Sequence, residues 1–166
     1  KGLKESLVEE YHATISKSGY DIKKMTVEDI VFYLRVSGIS KIDISDFLKT
    51  FVASSEELQK IDSFIKLRNL LTLNPHLFES IITTNWDKGI EHSIRGIPGL
   101  TVDLLVTDND CLKYNPSHLS ILKLHGDIDQ PETIILSSQD FDVYEKEHPR
   151  IIERLRILLS TKYFIF

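Results

Sequence analysis

A chain of 166 residues is long enough to bury a sizeable core and fits one domain. Hydrophobic residues make up 42% and charged residues 27%, ordinary values for a globular protein, and the net charge of −5 with no dense Lys/Arg stripe excludes a nucleic-acid-binding surface on this segment. One cysteine, Cys111, excludes an internal disulfide and a four-cysteine zinc site, and no apolar run reaches the ~20 residues of a membrane span. With no signal peptide, these features predict a cytoplasmic protein.

The chain begins "KGLKES", without Met and already in a helical pattern, and stops in the apolar "KYFIF". Both ends predict an internal piece of a longer protein. Leu3, Leu7, Val8 and Tyr11 share one face of a first helix. After the candidate cap Thr26, Val27, Ile30, Val31 and Leu34 predict a second. Ile44, Phe47, Leu48 and Phe51 repeat the spacing. Ser54 and Glu57 have capping-box spacing, with Leu58, Ile61, Phe64 and Ile65 behind them, and Asn74-Pro75 ends that helix.

From there strands and helices alternate. Strands are predicted over 80–84 ("SIITT"), 101–106 ("TVDLLV"), 120–126 ("SILKLHG"), 132–136 ("ETIIL") and 162–166 ("KYFIF"). Helices are predicted over 87–94, over 137–147 behind a serine cap, and over 150–160, where Ile151, Ile152, Leu155, Leu158 and Leu159 fall on one side. The alternation predicts an α/β fold: a Rossmann-like, mostly parallel sheet with helices on both faces. Ligands of such sheets bind at the carboxyl ends of the strands.

Polar groups follow two apolar strands there. Asn85 and Asp87 come just after "IITT", and His125 just after "ILKL". Asn offers a donor and an acceptor for a sugar hydroxyl or a water, and His exchanges a proton near neutral pH. Thr83 and Thr84 can line the floor. Taken singly, Asn85 also fits a helix cap, Asp87 an acidic residue at a helix N-terminus, His125 a turn residue before Gly126, and Trp86 packing. His12, His76, His92, His118 and His148 have no metal-ligand spacing. "DND" (108–110) lacks the later positions of a calcium loop, and "DID" (127–129) reads as a solvated turn before Pro131.

The order "ITTNWD", "KLHGDID", "IILSSQDFDVY" and an apolar terminal strand resembles the sirtuin-like domains of bacterial anti-phage defence proteins. The resemblance covers about residues 68–166 and extends loosely to the front. It implies one domain over 1–166, incomplete at both ends, with a helical insertion at about 20–74 and the α/β part at about 75–166. It also implies an NAD hydrolase that cleaves the nicotinamide–ribose bond and depletes NAD on infection. Asn85 and His125 match the catalytic pair: Asn85 would orient the ribose or the attacking water, and His125 would act as base. Thr84, Asp87, Thr83 and Gly126 match cofactor-contacting positions, with Asp87 holding the nicotinamide carboxamide. NAD is the substrate and no metal is expected. The implied partners are further copies of the chain and, through other regions, a phage protein or a partner subunit. Protein-deacylating sirtuins carry a four-cysteine zinc module after the His-Gly pair, which is missing here. A catalytically silent NAD- or nucleotide-sensing module is the third alternative. The family's glycine-rich phosphate-binding turn would precede Lys1, so this segment would hold only part of the NAD contacts.

Overall fold

The computed structural model describes residues 2–51, 57 and 60–162. In chain order these form helices α1 (Leu3–Glu10), α2 (His12–Ile15), α3 (Val27–Val36), α4 (Lys41–Lys49) and α5 (Asp62–Leu73). Then follow β1 (Ser80–Thr83), α6 (Gly89–Ile94), β2 (Val102–Leu105), α7 (Asp108–Lys113), β3 (Leu119–Lys123), α8 (Ser138–Glu147) and α9 (Pro149–Thr161). The expected capping pair at Ser54 and, of the strand expected over 162–166, residues 163–166 lie outside the described residues.

Side-chain oxygens start several of these helices. The Thr26 hydroxyl accepts from the Asp29 amide at 3.1 Å, and the Asp29 carboxylate accepts from the Thr26 amide at 2.8 Å. Ser40 with Asp43, Thr107 with Asp110 and Ser137 with Asp140 repeat this reciprocal box. Each satisfies amides that no helical carbonyl can reach. The caps expected at Thr26 and Ser137, and the stop at Asn74, are all observed.

The sheet has the order β1-β3-β2, and both pairings are parallel. All five residues of the central strand β3 are buried, as a strand covered on both faces requires. Alternation assigns the faces. Ile81, Val102, Leu104, Leu119 and Ile121 pack with Leu67 and Leu71 of α5 and Ile90 and Ile94 of α6. Ile82, Leu105 and Leu122 pack on the other side with Tyr144 of α8 and Ile151, Leu155 and Leu158 of α9. This is the Rossmann-like arrangement, with helices on both faces. Helices α1–α4 build a separate core around Leu7, Ile15, Ile30, Leu34 and Ile44. Ile128, Ile134 and Leu136, from the segment after β3, complete that core, and Trp86 packs against it.

Asp140 joins the two parts. One carboxylate oxygen accepts from the Leu136 and Ser137 amides at 3.0 Å each. The other accepts from Arg35 of α3 at 2.6 Å and Lys41 of α4 at 3.3 Å.

Several local expectations are corrected. "ETIIL" forms no strand: Pro131–Thr133 is a single 3-10 turn, closed by the Thr133 amide and hydroxyl on the Gln130 carbonyl. The apolar run behind it is buried by side-chain packing, which sequence pattern alone cannot distinguish from a strand. "DND" opens the unexpected helix α7, whose start is the Thr107–Asp110 box. In "DID" the turn is present, but Asp127 is fully buried rather than solvated. Ile61, Ile65 and Leu159, expected on packed faces, are exposed.

Candidate functional site

β1 and β3 are neighbours in register, with Thr83 opposite Lys123. Their exits therefore lie side by side at the carboxyl end of the sheet. Thr83–Asp87 leave β1, and Leu124–Asp127 leave β3. The two exits stay joined beyond the ladder: the Leu124 amide donates to the Thr83 carbonyl at 2.9 Å, and the Ile128 amide to the Trp86 carbonyl at 3.0 Å.

On the first exit, the Asn85 amide donates to the Thr83 hydroxyl at 3.0 Å. This commits Thr83 to shaping the turn. Thr84 and Asn85 are exposed, and the Asn85 side chain caps no helix, because α6 starts only at Gly89 behind Lys88. Asp87 accepts from the Gly89 amide at 2.7 Å through one carboxylate oxygen. It therefore spends part of its acceptor capacity on the helix start. Trp86 is half-buried, and its indole nitrogen is buried without a hydrogen-bond partner among the described residues.

On the second exit, His125 is half-buried, and its ring meets the edge of Phe141 at 5.7 Å and 83°. Burial pulls its pKa below the ordinary 6.5, so the neutral ring dominates at pH 7. The His125 carbonyl accepts from the Ile135 amide at 3.1 Å, fixing the backbone that carries the ring. Gly126 has φ +86°. A methyl group on it would meet the Thr133 carbonyl oxygen at 2.3 Å. The position requires glycine for conformation and for the close approach of this backbone.

A buried charge cluster lies between the exits. Lys123, the last residue of β3, is fully buried. Its ammonium donates to the carbonyls of Trp86 at 2.9 Å and Asp87 at 2.5 Å, and to the Asp127 carboxylate at 2.9 Å. Glu91 of α6 lies at 3.3 Å. Lys88 reaches the same Asp127 oxygen at 2.8 Å and Asp129 at 3.3 Å. Burial pushes the Asp127 carboxyl upward, but Lys88, the Asp129 amide and Lys123 outweigh it and hold the group below its usual value. The available signal was a lysine on the inward alternation of Leu119, Ile121 and Lys123, within an otherwise apolar strand.

The structure thus brings Thr83, Thr84, Asn85 and Asp87 onto one exit, and His125 and Gly126 onto the next. A cavity of about 420 Å³ opens at the opposite, amino ends of the strands, beside Phe78, Thr101 and His118. A second of about 390 Å³ lies between Phe64, Arg68, His92 and Arg95. Neither includes Asn85 or His125. Chemistry rather than cavity size singles out the strand exits. The described residues contain no group of three or more His, Cys, Asp or Glu that would hold a metal, and no helix among them is long and apolar enough to cross a membrane.

Residues 79–166, more than half the chain, match the family model described as SIR2-like domain. No curated protein matches the chain. Domains of this family bind NAD and are in general NAD-dependent enzymes. The matched segment begins one residue before β1 and takes in both strand exits, and on that match the chain belongs to the SIR2-like domain family.

Proposed function

We propose that this domain hydrolyses NAD at the nicotinamide–ribose bond and serves in bacterial anti-phage defence by depleting NAD. The observation that carries the reading is the pairing of β1 with β3, whose adjacent exits bear an exposed Asn85 and a half-buried His125. Bound NAD supplies a cationic pyridinium, so nicotinamide departs with the electron pair of the broken bond while water oxygen bonds to the ribose carbon.

The residues suit that reaction. The carboxamide of Asn85 both donates and accepts, and can hold the ribose or the incoming water. Neutral His125 takes the proton that the water, or a ribose hydroxyl, gives up. The free oxygen of Asp87 is an acceptor for the nicotinamide amide. Thr84 is exposed next to Asn85 and offers a hydroxyl to the same sugar. Gly126 contributes by letting the His125 backbone approach residues 133 and 134, rather than by a side-chain contact.

The test is nicotinamide release by the intact protein, measured alongside thermal melting. Asn85→Ala and His125→Ala are each expected to lower turnover by ~10²–10⁴-fold with little change in melting, because neither side chain belongs to a core. Near-normal turnover of His125→Ala with an unchanged melt would reduce His125 to a turn residue. Turnover that depends on an acylated peptide would replace the hydrolase with a deacylase.

A further inference from the structure

We propose that Lys123 is a positioning residue whose ammonium ties the Asn-Trp-Asp turn after β1 to the His-Gly-Asp turn after β3, and so sets the spacing of Asn85 and His125. The catalytic part of this inference rests on the NAD-hydrolase reading; the tether itself does not.

The geometry is specific. An ammonium has three protons to donate. The three shortest contacts of Lys123 go to the Trp86 carbonyl, the Asp87 carbonyl and the Asp127 carboxylate. Two successive carbonyls converge on one nitrogen, which fixes the Trp86–Asp87 and Asp87–Lys88 peptide planes, one residue beyond Asn85. The Trp86 carbonyl also accepts from the Ile128 amide, so the turn is held from two sides by the exit of β3. Asp127 provides the counter-charge and closes its own turn by accepting from the Asp129 amide at 2.9 Å.

Stability alone does not account for this arrangement. A buried lysine–carboxylate pair recovers little more than its desolvation cost, and a well-packed apolar pair often stabilises as much or more. An apolar residue at 123, however, has no donor for two carbonyls. What the ammonium adds is the relative position of the exits. Displacing a reacting group by ~1 Å costs on the order of 10²-fold in rate.

The experiment compares Lys123→Met, Lys123→Met/Asp127→Asn and wild type. The double variant removes the partner charge and so avoids leaving Asp127 buried against Lys88 alone. Trp86 is the only tryptophan of the chain and follows Asn85 directly, so its fluorescence reports the turn without NAD. In the double variant, with helical content kept, we expect a red-shifted emission and easier acrylamide quenching. We also expect kcat for nicotinamide release to fall by ~10²-fold, with a much smaller change in KM. A folded double variant with wild-type Trp86 emission and wild-type kcat overturns the proposal. If wild type releases no nicotinamide, the NAD reading fails and the Trp86 signal alone decides the tether. If both variants unfold, nitrogen NMR of wild type decides it. A slowly exchanging Lys123 ammonium coupled to the carbonyl carbons of Trp86 and Asp87 supports the tether, and the absence of those couplings overturns it.

Discussion

Replacing Gly126 with alanine separates the cost of a left-handed backbone from the cost of a collision. Gly126 has φ +86°, a region that costs an L-residue with a side chain roughly 1–2 kcal/mol. The added methyl would also lie 2.3 Å from the Thr133 carbonyl oxygen, 2.4 Å from its carbon and 2.7 Å from the Ile134 nitrogen. All three are backbone atoms, so no side chain can swing aside. Relief requires the 133–134 segment to move by about 1 Å, and overpacking of that kind costs ~1–3 kcal/mol. The sum is about 2–5 kcal/mol. At roughly 2–4 °C per kcal/mol for a chain of this size, the melting temperature should fall by about 4–20 °C. Gly96 provides the control: its φ is +75°, and nothing lies within 4 Å of the same methyl. Gly96→Ala should therefore lose only the conformational part, about 1–2 kcal/mol. Calorimetry or urea titration of both variants decides the matter. If Gly126→Ala proves no less stable than Gly96→Ala, the collision is absent and the packing of the His-Gly turn against residues 133–134 is refuted.

Two pH dependences follow from the buried groups. Because burial lowers the pKa of His125, kcat/KM for NAD cleavage should rise with pH along an acid limb whose midpoint lies below 6.5 and be flat above it. A midpoint above 6.5, or a limb that survives in His125→Ala, would contradict that role. Asp127 and Asp140 are both pushed up by burial but held below the usual 3.8 by stronger opposing contacts. Those contacts are Lys88, the Asp129 amide and Lys123 for Asp127, and the Leu136 amide, Lys41 and Arg35 for Asp140. A folded-state pKa below the unfolded one contributes stability that is complete above the unfolded value and is lost as pH falls through the folded value. The stability these two carboxylates contribute should therefore be complete above about pH 5 and be lost below about pH 4, where the urea midpoint drops. A midpoint unchanged down to pH 2 would show that neither carboxylate has its native pairing.

The strands and helices were legible where one physical rule dominates. Thr26 and Ser137 have the short polar side chains that caps require, and "SIITT" and "SILKL" are the apolar runs that a doubly covered sheet demands. The exits followed from the carboxyl-end rule, which is why Asn85 and His125 fall on adjacent strand exits. What was not legible depended on partners distant in sequence. Asp127 looks solvated beside Asp129 and Pro131 until Lys123 and Lys88 are seen to converge on it. Lys123 looks like a break in an apolar run until the Trp86 and Asp87 carbonyls are in place. Ile134 and Ile135 look like a strand, because an apolar run carries no record of whether a sheet or a helical cluster covers it. Helix α7 was missed because an acidic triplet invites comparison with a metal loop, whereas Asp110 reaches back to the Thr107 amide.

The segment after β3 divides its side chains between two cores. Ile134 and Leu136 enter the helical cluster, while Ile135, between them, enters the cluster beneath the sheet. Its amide also holds the His125 carbonyl. One stretch of extended chain thus belongs to two folding units at once, like a stitch passed through two layers of cloth. Neither layer can open without drawing that thread out of the other, so their local unfolding free energies are coupled. The backbone of His125 is sewn to the same thread. Its order is therefore set by the weaker of the two layers.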